Sequence, residues 1–207
     1  MYHKKDLEEE GTLKIIAITG PIASGKTVLS KRLSKVLRYP VWSADACVHD
    51  LISQNKDVQQ KILSLFPEVK GSNTGGVEKD ILRESALKSV ESLKKLEGVL
   101  HPYVDTLCRA FIQKSRQDKL KGVILEIPLL FEVGFEKEVD LIILVESPAF
   151  YQKKRFLRRT HMTLEKAKIF ESRLIPFSEK RKKAHIIIKN GRSFRFSHSK
   201  IVKRPKI

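Results

Sequence analysis

Residues 13–37 read LKIIAITGPIASGKTVLSKRLSKVL, and within them Gly20, Gly25, Lys26 and Thr27 stand at the spacing GxxxxGK[ST]. The spacing has a physical reason. Glycines at both ends let the backbone wrap closely around a polyphosphate with successive N–H groups turned inward, while the lysine reaches the β- and γ-phosphates and the next hydroxyl ligates Mg2+. In this chain the expected phosphate-binding loop comprises Gly20, Ala23, Ser24, Gly25, Lys26, Thr27 and Val28, with Thr27 as the expected metal ligand.

The flanks agree with that reading. Ile15, Ile16, Ala17 and Ile18 form a short apolar run suited to a buried parallel strand. Val28, Leu29, Leu33, Val36 and Leu37 then recur at helical spacing. The loop falls at a strand-to-helix junction, where the helix N-terminus adds its own attraction for anions.

The chain of 207 residues fits one α/β domain with modest insertions. The first dozen residues are polar and are expected to be disordered; no apolar run approaches a membrane span, so a soluble, cytoplasmic protein is expected. Cys47 and Cys108 lie far apart without partners at metal-ligand spacing, which argues for buried thiols. The net charge of +17 is concentrated late: from residue 148 onward 19 Lys and Arg face only Glu165, Glu171 and Glu179. A basic segment appended to a phosphate-binding core suits a polyanionic small molecule as well as a nucleic acid. The basic helices lack an RNA-recognition signature, and Phe194 and Phe196 are thin support for base stacking, so nucleic acid is the disfavoured partner.

Along the chain, Pro40–Asp45 (PVWSAD) reads as a second strand ending in a carboxylate, and strand ends border the ligand crevice of an open parallel sheet. Asp45 there could be a base for a substrate hydroxyl or the N-cap of the helix that follows. Residues 57–117 are mostly helical, with Val58, Ile62, Leu65 and Phe66 on one face and a loop at Gly71–Gly76. His101-Pro102 precedes another helix, where Pro suits the first turn. Gly122–Glu126 is a third strand that again ends in an acid, and Val139–Val145 a fourth. Ser147-Pro148 opens a helix on which Arg155 and Arg159 share a face, either a solvated surface or a cover for transferring phosphate. Thr163 caps a further helix that Pro176 ends. Ala184–Ile188 is the last strand, followed by a basic tail without a clear period, read as flexible or loosely docked.

These residues resemble the dephospho-CoA kinase family from about Leu13 to Gly191. The resemblance rests on the phosphate loop, Ala44-Asp45, Leu100-His101-Pro102, Pro128-Leu129-Leu130-Phe131-Glu132, Gln152 with Arg155 and Arg159, Glu179-Lys180-Arg181, and Asn190-Gly191. It implies transfer of the ATP γ-phosphoryl group to the ribose 3′-hydroxyl of dephospho-CoA, the last step of CoA synthesis. By the same resemblance Asp45 is the base, with Lys26, Arg155 and Arg159 completing the catalytic set. Lys79, His101, Glu126, Leu129 and Leu130 then fall to the acceptor. Ser43 stands where the family has an Asp, Pro21 and Ala23 where it usually has glycines, Lys79 for an Arg and Leu174 for a Gln. Pro21 loses one N–H, so a tighter loop is expected.

The expected fold is α/β, a P-loop NTPase-type three-layer fold with a parallel sheet, a helical substrate-binding insertion and a helical lid. The expected divisions are a disordered extension (1–12), a nucleotide-binding core (13–56, 120–147 and 184–191), a helical CoA domain (57–119), a basic lid (148–183) and a basic tail (192–207). A monomer is expected with an oligomer left open, and local residues alone leave open another small-molecule or nucleoside kinase on the same scaffold.

Overall fold

A computed structural model of the chain describes residues 12–71, 75–148, 150–152, 174–191 and 201–203. Its centre is a six-stranded sheet: β1 (Lys14–Thr19), β2 (Val41–Ser43), β3 (Gly122–Glu126), β4 (Leu141–Glu146), β5 (Ile186–Lys189) and β6 (Ile201–Lys203), in the order β2-β3-β1-β4-β5-β6. The first five are parallel, and β6 pairs antiparallel with β5. The apolar runs explain why. Ile16, Ile18, Ile124, Ile143, Val145, Ile186 and Ile188 enter one cluster with Leu29, and the alternate residues Ile15, Ala17, Val123, Leu125, Ile142, Leu144 and Ile187 are buried as well. Both faces of the sheet are therefore covered, which suits parallel strands joined by helices.

Helix α1 (Lys26–Leu37) follows β1 as its period requires, burying Leu29 completely while Val36 faces solvent. Helices α2 (Ala44–Gln54), α3 (Lys56–Leu65), α4 (Lys79–Ala86), α5 (Val90–Gln117) and α6 (Phe177–Lys183) follow along the chain. The chain divides into two compact units: one holds the described residues up to Ser43, those of Phe111–His161 and those from Ile175 onward, the other Ala44–Ala110 together with Leu174. The second unit has its own core, in which Val58, Ile62, Phe66, Val69, Leu82 and Leu96 pack together. Asn55 caps α3 by accepting from the Val58 N–H at 3.0 Å.

Three expectations are corrected. The second strand stops at Ser43, and Asp45 lies in the first turn of α2 rather than at a strand end, because the helix starts at Ala44 with no intervening loop. Pro102 does not open a helix but sits inside the 28-residue α5; the ring removes only the bond to the Gly98 carbonyl, and the buried Leu93, Leu96 and Leu100 hold the helix on their side of the break. Within the tail, Ile201–Lys203 is not loose chain: its backbone pairs with β5 in the register Ile186↔Lys203, which covers the exposed hydrogen-bonding groups of that edge. Ser147-Pro148 does lead into helix, with the Gln152 N–H donating to the Pro148 carbonyl at 3.0 Å. The first eleven residues, Arg155, Arg159 and Thr163 lie outside the described residues.

Candidate active site

The phosphate loop begins where β1 ends. Gly20 has φ 144°, and a Cβ there would lie 2.3 Å from the Val145 carbonyl oxygen, so only glycine lets the loop start against the end of β4. Ala23, at φ 58°, occupies the left-handed region that costs a non-glycine residue about 1–2 kcal/mol. Pro21 lacks an N–H, yet its carbonyl accepts from the Ser24 N–H at 3.2 Å and from Lys26 Nζ at 3.1 Å. Lys26 Nζ also donates to the Gly20 carbonyl at 3.0 Å. The buried lysine thus draws the first residues of the loop together.

Gly25, at φ 102°, precedes α1, whose N-terminus has no side-chain cap and no acid in its first turn. The first N–H groups of a helix have no intrahelical acceptor, and together with the helix dipole they make this end a site for an anion.

Glu126 ends β3 beside Ile18 of β1 and Ser43 of β2, and is 2% exposed. Its Oε1 accepts from the Thr27 hydroxyl at 2.6 Å and its Oε2 from the Ser30 hydroxyl at 2.8 Å. A carboxylate this deep is tolerable because both oxygens are hydrogen-bonded. The structure sets Glu126 against the loop itself. Ser30 was not among the expected site residues; its only signal was a hydroxyl one helical turn beyond Thr27. Among the described residues no three His, Cys, Asp or Glu side chains gather as a metal cage. A hydroxyl backed by a carboxylate suits Mg2+, a hard cation that takes few protein ligands and completes its shell with phosphate oxygens and water.

Beyond β3, Leu129 is partly buried and Leu130 fully so, in a turn where the Phe135 N–H donates to the Leu130 carbonyl at 3.1 Å. Glu132 accepts from the Ile175 N–H at 3.1 Å and pairs with the buried Lys180 at 2.6 Å. Arg181 lies 3.3 Å from Glu146 and Lys183 3.2 Å from Glu136. Three bases of α6 are thus tied to acids that follow β3 or end β4.

In the second unit, Asp45 opens α2, and Lys79 donates to His49 Nε2 at 2.8 Å and to the Ser53 hydroxyl at 2.5 Å. Half-burial lowers the pKa of His101 below its usual value, favouring the neutral imidazole. Cys47 and Cys108 are thiols rather than a disulfide, and burial followed by the nearby Asp50 pushes the Cys47 pKa up. Among the described residues no helix is long and apolar enough to cross a membrane.

The family model described as dephospho-CoA kinase matches residues 14–195. A dephospho-CoA kinase of Zymomonas mobilis is 37% identical over 179 residues, covering 86% of this chain and 88% of its own. Among solved structures, TT1252 from Thermus thermophilus aligns with a TM-score of 0.67 at 32% identity, over 86% of this chain and 88% of that one. A dephospho-CoA kinase from Campylobacter jejuni aligns with a TM-score of 0.61 at 26% identity, over 88% and 90%.

Proposed function

The chain belongs to the dephospho-CoA kinase family, and on that premise we propose that it transfers the γ-phosphoryl group of ATP to the ribose 3′-hydroxyl of dephospho-CoA, releasing CoA and ADP. The observation that carries the reading is the phosphate loop with its buried acid: Gly20 and Gly25 at positive φ, an uncapped helix N-terminus, and Thr27 held by Glu126.

In this reading the α1 N-terminus binds the β- and γ-phosphates, and Lys26 shifts its ammonium toward them from the loop carbonyls. Thr27, oriented by Glu126, would hold Mg2+, which when bound offsets charge on the phosphate oxygens. Asp45 accepts the proton of the 3′-hydroxyl as the O3′–P bond forms and the bond from phosphorus to the departing ADP oxygen breaks in line. Arg155 and Arg159 offset the negative charge that spreads over the transferring group. Lys79, His101, Leu129 and Leu130 are assigned to the acceptor.

The test is phosphate transfer from Mg·ATP to dephospho-CoA beside a panel of nucleosides and small hydroxyl acceptors, with products identified by mass spectrometry. CoA formed from dephospho-CoA alone, with ADP in equal amount, is the expected result. Turnover only with another acceptor would keep the kinase and discard the substrate.

A further inference from the structure

Asn190-Gly191 closes β5 and has no part in the mechanism above. The Asn190 side chain is buried, and its Nδ2 donates to the main-chain carbonyl of Ser24 at 2.7 Å across 166 residues of sequence. A carbonyl only accepts, so the amide nitrogen is the atom that faces it. The backbone of Asn190 is itself held on both sides. Its N–H donates to the Glu146 carbonyl at 2.7 Å, and its carbonyl accepts from the Ser147 hydroxyl at 3.0 Å. The ends of β4 and β5 therefore present the amide to the loop from a fixed platform.

The consequence follows from peptide geometry. Among the described residues no peptide bond is cis, and in a trans peptide the carbonyl and the next N–H point in opposite directions. Drawing the Ser24 carbonyl toward Asn190 turns the Gly25 N–H the other way. Gly25 is the residue from which α1 starts, at a φ of 102° that leaves its peptide planes free to take several orientations without such a tie. An anion cradle of backbone N–H groups works only when those groups converge before the ligand arrives.

We propose that Asn190 is a positioning residue of the phosphate loop, fixing the Ser24–Gly25 peptide so that its N–H is aimed at the nucleotide phosphates. The role rests on the nucleotide-binding reading given above and deepens it. Asn190 does not touch the reacting atoms in this scheme; it acts through the loop.

Calorimetric binding of Mg·ADP to full-length wild type, Asn190→Ala and Asn190→Asp tests it, with kcat and both KM values measured alongside. Asn190→Asp keeps the shape and both backbone bonds of residue 190 but replaces the donor with an acceptor. Leaving the Ser24 carbonyl without its donor should weaken Mg·ADP binding about 5- to 100-fold in both variants, while KM for dephospho-CoA stays within about twofold. Wild-type nucleotide affinity in either variant would overturn the proposal. So would equal weakening of both substrates, or loss of the folded state in both variants by circular dichroism, since each makes the bond merely structural. Failure of the wild type itself to bind Mg·ADP would instead overturn the nucleotide-binding reading and the proposal with it.

Discussion

The Thr27 hydroxyl donates to Oε1 of Glu126 at 2.6 Å, joining the last position of the phosphate-loop motif to the end of a strand 99 residues away. Removing the hydroxyl while keeping its shape, Thr27→Val, should cost about 1–3 kcal/mol of stability by leaving a buried carboxylate oxygen without its donor. Mg·ADP affinity should fall about 10- to 100-fold, and ADP affinity measured in chelator should change little. Equal losses with and without metal would separate Thr27 from the ion.

Asp45 lies in the first turn of α2, two residues beyond the strand that pairs with β3. If it takes the acceptor proton, Asp45→Asn should lower kcat about 10²- to 10⁴-fold with nucleotide affinity unchanged by calorimetry. Turnover at the wild-type rate would remove it from that role.

Lys180 and Glu132 form a pair with side chains only 5% and 13% exposed. Removing one partner strands the other charge, so Lys180→Met should lose about 3–5 kcal/mol in urea unfolding. The double variant Lys180→Met with Glu132→Leu should recover much of that loss, because the stranded charge goes too. No recovery would mean that the Ile175 N–H bond to Glu132 carries the stability instead.

Burial lowers the folded-state pKa of His101 below 6.5. Between that lowered value and 6.5 the unfolded chain holds more protons than the folded one, so stability rises with pH through this window and falls on acidification from neutrality. His101→Gln should flatten the part of the slope that lies in the window. Unfolding midpoints taken across it should converge toward acid, and parallel slopes would show that His101 does not contribute.

Short-range chemistry is what made much of the site legible. Gly20, Gly25, Lys26 and Thr27 lie within eight consecutive residues, and the apolar runs of β1, β3, β4 and β5 announced buried parallel strands. The corrections came where local signals are ambiguous. Proline favours a first turn on average, yet Pro102 sits inside α5, where buried residues anchor the helix on both sides of the break, Leu96 and Leu100 before it and Cys108 and Ile112 after it. The carboxylate of Asp45 read equally as strand end or helix start until the backbone put it in α2.

By itself the sequence determined the phosphate loop, the parallel character of the main strands, the basic surplus after residue 148 and the family. Each depends on residues close together in the chain or on composition, so no folded partner is needed to read it. Only the tertiary structure decided which side chains hold that loop: Glu126 on Thr27 and Ser30, Asn190 on Ser24, and the Val145 carbonyl that excludes any side chain at Gly20. Glu126 ends β3 and Val145 belongs to β4, the two strands that flank β1 in the order β2-β3-β1-β4-β5-β6, while Asn190 follows β5, one strand farther out. Hydrogen bonds act over about 3 Å, and which atoms come that close is set by sheet register rather than by distance along the chain.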